Sequence, residues 1–137
     1  MNSPSLVRPS IDFDSPGKQF GFLGVPKSTN DSAYGTITVP VCVINNGEGP
    51  TVTLTGGVHG DEYEGPVTLL NLAREIDPAQ VNGRIIMIPC LNLPAVQSGD
   101  RCSPIDDLNL NRVFPGNANG TVTEMVAHYI SLSLIHI

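Results

Sequence analysis

A chain that strings together Thr51–Thr55 (TVTLT), a glycine-broken turn, an amphipathic helix and then Arg84–Cys90 (RIIMIPC) has few folds open to it. The second run is almost continuously apolar, the pattern of a strand buried on both faces. Between the two, Leu69, Leu70, Ala73 and Ile76 recur at three- and four-residue steps and form one stripe on a helix. Pro66 falls in the first turn of that helix, where its missing N–H costs nothing, and Asp77-Pro78 ends it. Strand, helix and buried strand in this order predict a βαβ unit, hence an α/β fold with a parallel or mixed sheet covered by helices.

The flanking segments are read by the same rules. Residues 1–10 are rich in Ser, Pro and Asn and are expected to be disordered. Ile11–Phe22 contains a Ser-Pro-Gly turn and suggests an edge hairpin, and Lys27–Ser32 reads as a loop. Thr36–Ile44 (TITVPVCVI) is β-branched and predicts a strand, with Pro40 arguing for an edge position or a bulge. The turn NNGEGP should join it to Thr51–Thr55 as a hairpin-like pair. Leu91–Asn119 shows little regular pattern, and loops of that length are usually functional. A helix then starts near Thr121, with Thr121 and Glu124 spaced as a capping box.

Ligands of open α/β sheets gather at the carboxyl ends of the strands. His59 and Glu62 stand at such an end, three residues apart in GGVHGDEYEGP. A turn that opens a helix aims positions i and i+3 at one point, and Gly56, Gly57 and Gly60 let the backbone bend there. A catalytic zinc takes three ligands from His, Glu or Asp and keeps the fourth position for water. His59 and Glu62 are therefore candidate metal ligands, and Asp61 a candidate to hold the imidazole from behind. The competing reading is a surface histidine with a carboxylate favoured by the helix dipole. The long loop adds Arg101, Asn111 and Arg112, with Asp106 and Asp107 as possible partners of these arginines, and Phe114-Pro115-Gly116 as a turn.

Composition narrows the classes. With 137 residues and 40% hydrophobic content the chain can bury one core. A net charge of −6, with no lysine or arginine cluster, argues against nucleic-acid binding. No apolar run is long enough to span a membrane, and MNSPSLVRPS lacks the hydrophobic core of a secretory signal. The three cysteines, Cys42, Cys90 and Cys102, have no paired spacing, so free thiols and a cytoplasmic location are expected.

Taken together, GGVHGDEYEGP, the loop arginine Arg101 and DLNLNRVFPG resemble the succinylglutamate desuccinylase/aspartoacylase family, zinc-dependent deacylases related to the zinc carboxypeptidases. The likeness covers roughly residues 11–131, and IDFDSPGKQFGF, DSAYG and RCSPIDDLNLNRVFPG are closest to those members that deacetylate N-acetyl-diaminobutyrate in ectoine breakdown. The resemblance implies part of a three-layer α/β/α, zinc carboxypeptidase-like domain with a mixed sheet, truncated at its C-terminus. It implies zinc as cofactor, held by His59 and Glu62, with Arg101 polarising the scissile carbonyl. Asn111 and Arg112 would grip the carboxylate of a small N-acylated amino acid. The family's third ligand, a histidine, and its base, a glutamate, would follow later than this sequence runs, so the 137-residue chain is expected to be inactive. The last residues, SLSLIHI, resemble translated sequencing-adapter sequence. Residues 132–137 are accordingly expected to be non-native, with residues 11–131 the N-terminal portion of the catalytic domain. A carboxypeptidase or esterase on the same scaffold, and a non-catalytic partial domain, are the alternatives.

Overall fold

A computed structural model describes residues 4–134. Five strands form one mixed sheet: β1 (Arg8–Pro9), β2 (Gly17–Thr29), β3 (Ser32–Asn46), β4 (Thr51–Thr55) and β5 (Gly83–Ile88). Their spatial order is β1-β2-β3-β5-β4, with β4 and β5 parallel and every other pair antiparallel. Helix α1 (Glu64–Glu75) connects β4 to β5 and completes the βαβ unit. Helices α2 (Leu93–Ser98) and α3 (Val122–Tyr129) follow, and a wide turn at Ile130–Leu134 extends α3.

The sheet separates two apolar layers. On one side Leu69 and Ala73 of α1 pack on Cys42, Ile44 and Met87. On the other, Val122, Met125 and Val126 of α3 pack with Val39, Val41, Val43, Ile86 and Ile88. Ile86, Met87 and Ile88 are wholly inaccessible, as a strand covered on both faces requires. Helix, sheet and helix thus make the three layers expected. The stripe of α1 is narrower than the spacing suggests, because Leu70 faces outward at 38% exposure. Among the described residues no helix is long and apolar enough to cross a membrane.

Three expectations are corrected. Segments β3 and β4 do not pair as a hairpin; β5 lies between them and bonds to both. The real hairpin is β2–β3, a long ribbon that runs through Lys27–Ser32, where a loop was expected, and turns at Asn30–Asp31. Residues 8 and 9 pair with β2, and Val7 is buried, so the first ten residues are not a disordered tail as a whole; residues 1–3 lie outside the described residues. The segment assigned to a non-native tail is described only up to residue 134.

Pro40 sits in a central strand, neither at an edge nor in a bulge, and the bonding pattern explains how. Phe22, its partner across the ribbon, uses its backbone N–H and C=O on Ser10. Phe22 and Pro40 therefore face each other without exchanging hydrogen bonds. The proline nitrogen points toward the β5 side, where pairing begins only at Cys42.

Candidate active site

The double glycine at the end of β4 keeps the chain against β5 after the strand has ended. Gly56 N–H donates to Ile88 O, Leu91 N–H to Gly56 O and Asn92 N–H to Gly57 O, all at 2.8–2.9 Å. Gly57 has φ +64°, a conformation that suits glycine. Gly60 lies so close to α2 that an added β-carbon would collide with Ala95 O, and its N–H donates to Asp100 O at 2.8 Å. These contacts press the turn onto α2 and the start of the long loop. Asn92, buried at the head of α2, adds a weak bond from its amide to Val58 O.

His59 is 5% exposed at this turn. Its Nδ1 lies 3.2 Å from Glu62 Oε1, and its Nε2 lies 3.0 Å from Asn109 Oδ1. Arg101 Nη1 approaches the same Glu62 oxygen at 3.5 Å. The Glu62 and Arg101 side chains are 60% and 54% exposed, so the cluster is buried at the imidazole and open to solvent at the carboxylate and the guanidinium. Three of the residues singled out by the sequence thus meet around one carboxylate oxygen.

Asn111 and Arg112 lie in a short 3₁₀ turn, Leu110–Arg112, and both are exposed. Leu110 is fully buried and pins that turn to the core. Asn109 caps it, its Oδ1 accepting the Asn111 N–H at 3.0 Å. Asn109 is the residue that the sequence reading missed. Asp61, expected to hold the imidazole, is exposed and makes no side-chain bond to His59; Asn109 does so from fifty residues away.

Asp106 bonds to α3 and to neither arginine. Its carboxylate accepts the Thr123 N–H at 2.9 Å and the Thr123 hydroxyl at 2.8 Å. Burial pushes its pKa up, but the bonds from Thr123, Thr121 and Leu108 outweigh that and hold it below the ordinary value. Asp107 is exposed with φ +56°. Gly116 of the Phe-Pro-Gly turn abuts the α3 backbone at Glu124 O and His128 N, which gives that turn a shaping role. The three cysteines are free, and burial pushes the Cys42 and Cys90 thiols up.

The donor pair can be tested against the metal that the spacing suggests. Two ligands of a tetrahedral zinc with bonds of 2.0–2.1 Å stand about 3.3 Å apart, close to the 3.2 Å between His59 Nδ1 and Glu62 Oε1. One imidazole nitrogen and one carboxylate oxygen also match zinc's preference for N and O donors. The pair fits such an ion. Among the described residues no cluster of three or more His, Cys, Asp or Glu forms around it.

Known proteins carry the same framework. Residues 48–136 match the succinylglutamate desuccinylase/aspartoacylase catalytic domain. Over 132 residues the chain is 47% identical to N-alpha-acetyl-L-2,4-diaminobutyric acid deacetylase of Halomonas elongata, which takes in 96% of this chain and 39% of that protein. The product-bound ectoine utilization protein EutE (DoeB) from Ruegeria pomeroyi superposes with a TM-score of 0.96 at 48% identity, over 98% of this chain and 41% of that one. A succinylglutamate desuccinylase/aspartoacylase from Rhodobacter sphaeroides gives 0.93 at 48% identity, over 96% and 41%. The chain spans well under half the length of these relatives. By sequence match and by fold, it belongs to the succinylglutamate desuccinylase/aspartoacylase family.

Proposed function

We propose that the whole protein carrying this chain is a zinc-dependent hydrolase that removes an acyl group, acetyl foremost, from an N-acylated amino acid such as N-acetyl-diaminobutyrate. One observation carries the reading. His59 Nδ1 and Arg101 Nη1 converge on Glu62 Oε1 at 3.2 and 3.5 Å, in a chain 47% identical to a deacetylase named for that substrate.

His59 and Glu62 would hold the metal. Bound there, zinc supplies Lewis acidity toward an amide carbonyl and lowers the pKa of a water. Arg101 stands beside the same point and would stabilise negative charge developing on the carbonyl oxygen. Asn111 and Arg112 would receive the substrate's free carboxylate, which matches the planar fork of a guanidinium bidentately. The imidazole is buried while Glu62 and Arg101 are more than half exposed, so the proposed site is reached from solvent at the carboxylate and the guanidinium. Free, mostly buried thiols suit a reducing cytoplasm.

Among the described residues two protein ligands come together, short of the three used at a catalytic zinc. The 137-residue chain by itself should therefore show negligible turnover; robust zinc-dependent hydrolysis by it would overturn that part of the proposal.

In the whole protein, elemental analysis should find about one zinc per chain, and both His59→Ala and Glu62→Ala should lose it together with activity. Full zinc content in both variants would remove these residues from the metal site. Rates on N-acetyl-diaminobutyrate, N-acetylaspartate, succinylglutamate and a dipeptide then rank the substrate. Preference for the dipeptide would reassign the protein to a peptidase on the same scaffold.

A further inference from the structure

We infer that Asn109 is a positioning residue whose single Oδ1 atom both selects the tautomer of His59 and anchors the turn carrying Asn111 and Arg112. The metal-binding nitrogen and the carboxylate-binding pair are then placed by one atom. The inference rests on the roles proposed above for those residues, but the bonding pattern behind it does not.

The orientation of the Asn109 amide follows from its neighbours. A backbone N–H only donates, so the Asn109 atom 3.0 Å from Asn111 N is the oxygen. That same oxygen lies 3.0 Å from His59 Nε2. An oxygen without a hydrogen can only accept, so Nε2 carries the proton. In the neutral ring Nδ1 then holds a lone pair, aimed at Glu62 Oε1 from 3.2 Å. Two lone pairs facing at that distance repel unless a positive charge lies between them. A metal ion held by the pair would meet that need.

The choice of an amide matters. A carboxylate behind a ligating imidazole draws on the Nε2 proton and makes the ring a stronger donor. Asn109 fixes the ring without adding charge. Its second bond ties that orientation to the 3₁₀ turn, which is otherwise held by buried Leu110. Loss of the oxygen should release both the imidazole and the turn.

The test uses the whole protein, metal-free and labelled with ¹⁵N-histidine, in alkaline buffer. Long-range proton–nitrogen spectra report which ring nitrogen of His59 is protonated, the signal being assigned by its loss in His59→Gln. The wild type should show the Nε2–H form, and Asn109→Ala a mixture of tautomers. Asn109→Asp, which keeps an oxygen in place, should retain Nε2–H. Asn109→Ser separates the two roles: its hydroxyl still caps the Asn111 N–H but is too short to reach His59. That variant should keep the Asn111 amide protected from exchange while the tautomers mix, which shows that it is folded. Zinc affinity, read by chelator competition, should fall about 10–100-fold in the Ala and Ser variants. A wild-type tautomer in both would overturn the inference. Absence of zinc at His59 in the wild-type protein would sink only the metal reading, since the tautomer measurement stands without it.

Discussion

Gly60 shows how little freedom the residues around His59 have. A methyl group there would collide with Ala95 O and Asp100 O, both backbone atoms that cannot swing aside. Gly60→Ala should therefore destabilise the fold by about 1–3 kcal/mol or more, read as a lower denaturant midpoint, and should weaken metal binding by moving His59. An unchanged midpoint would mean that the turn is looser than these contacts imply. Asp106 gives a pH-dependent counterpart. Its carboxyl is held below its unfolded value, so the stabilisation it brings is present above the unfolded pKa and disappears as pH falls through the folded one. Asp106→Asn should flatten the acid limb of the stability curve below about pH 4; an identical acid limb would deny it that role. At this scale His59 and Glu62 were legible because types and spacing alone put them near one point, whereas Arg101 was singled out by the family resemblance and reaches Glu62 through tertiary packing. Asn109 was not legible, because its bond to His59 crosses fifty residues of chain and follows from tertiary packing. Asp61 was a false lead for the opposite reason: a neighbour in sequence, it lies exposed on the tight turn and makes no bond to His59.

The elements divide by how local their causes are. Helix α3 was readable from its start, since Thr121 and Glu124 form the reciprocal capping box that their spacing suggests. Thr121→Ala should cost about 1 kcal/mol, measured by thermal or chemical unfolding. Both ends of α1 were readable too, from the glycine turn before it and Asp77-Pro78 after it, because breakers act on their own neighbours. Strand pairing was not readable. The turn NNGEGP invites a hairpin, yet the edge of β3 facing it is taken by β5, a strand thirty residues further on whose buried apolar run needs a neighbour on each side. The β2–β3 ribbon was obscured by Lys27–Ser32, whose polar residues lie at its exposed tip, where polarity carries no information about pairing.

Across the whole molecule the sheet is well covered at its centre and bare at one side. Strand β4 is the edge of the described sheet, with Val52 46% exposed, and Val67 and Leu70 of α1 are 56% and 38% exposed. A parallel edge strand with apolar side chains is a template for pairing with another chain. The 137-residue chain should therefore self-associate as its concentration rises, and Val52→Lys should reduce this in sedimentation velocity runs. Equal association by both proteins would point to another surface.

The insertion of β5 between β3 and β4 also constrains the order of assembly. The ribbon of β2 and β3 can close by itself, from contacts near in sequence. Strand β4 leaves the ribosome next, yet it has no partner within the described sheet until residue 88 is available. Within the described sheet the ribbon and β4 must wait to be stitched by β5, after α1 has spanned the gap. Long-range closure of this kind is slow. Pulsed hydrogen exchange during refolding should find β4 amides protected together with those of β5 and later than those of the ribbon.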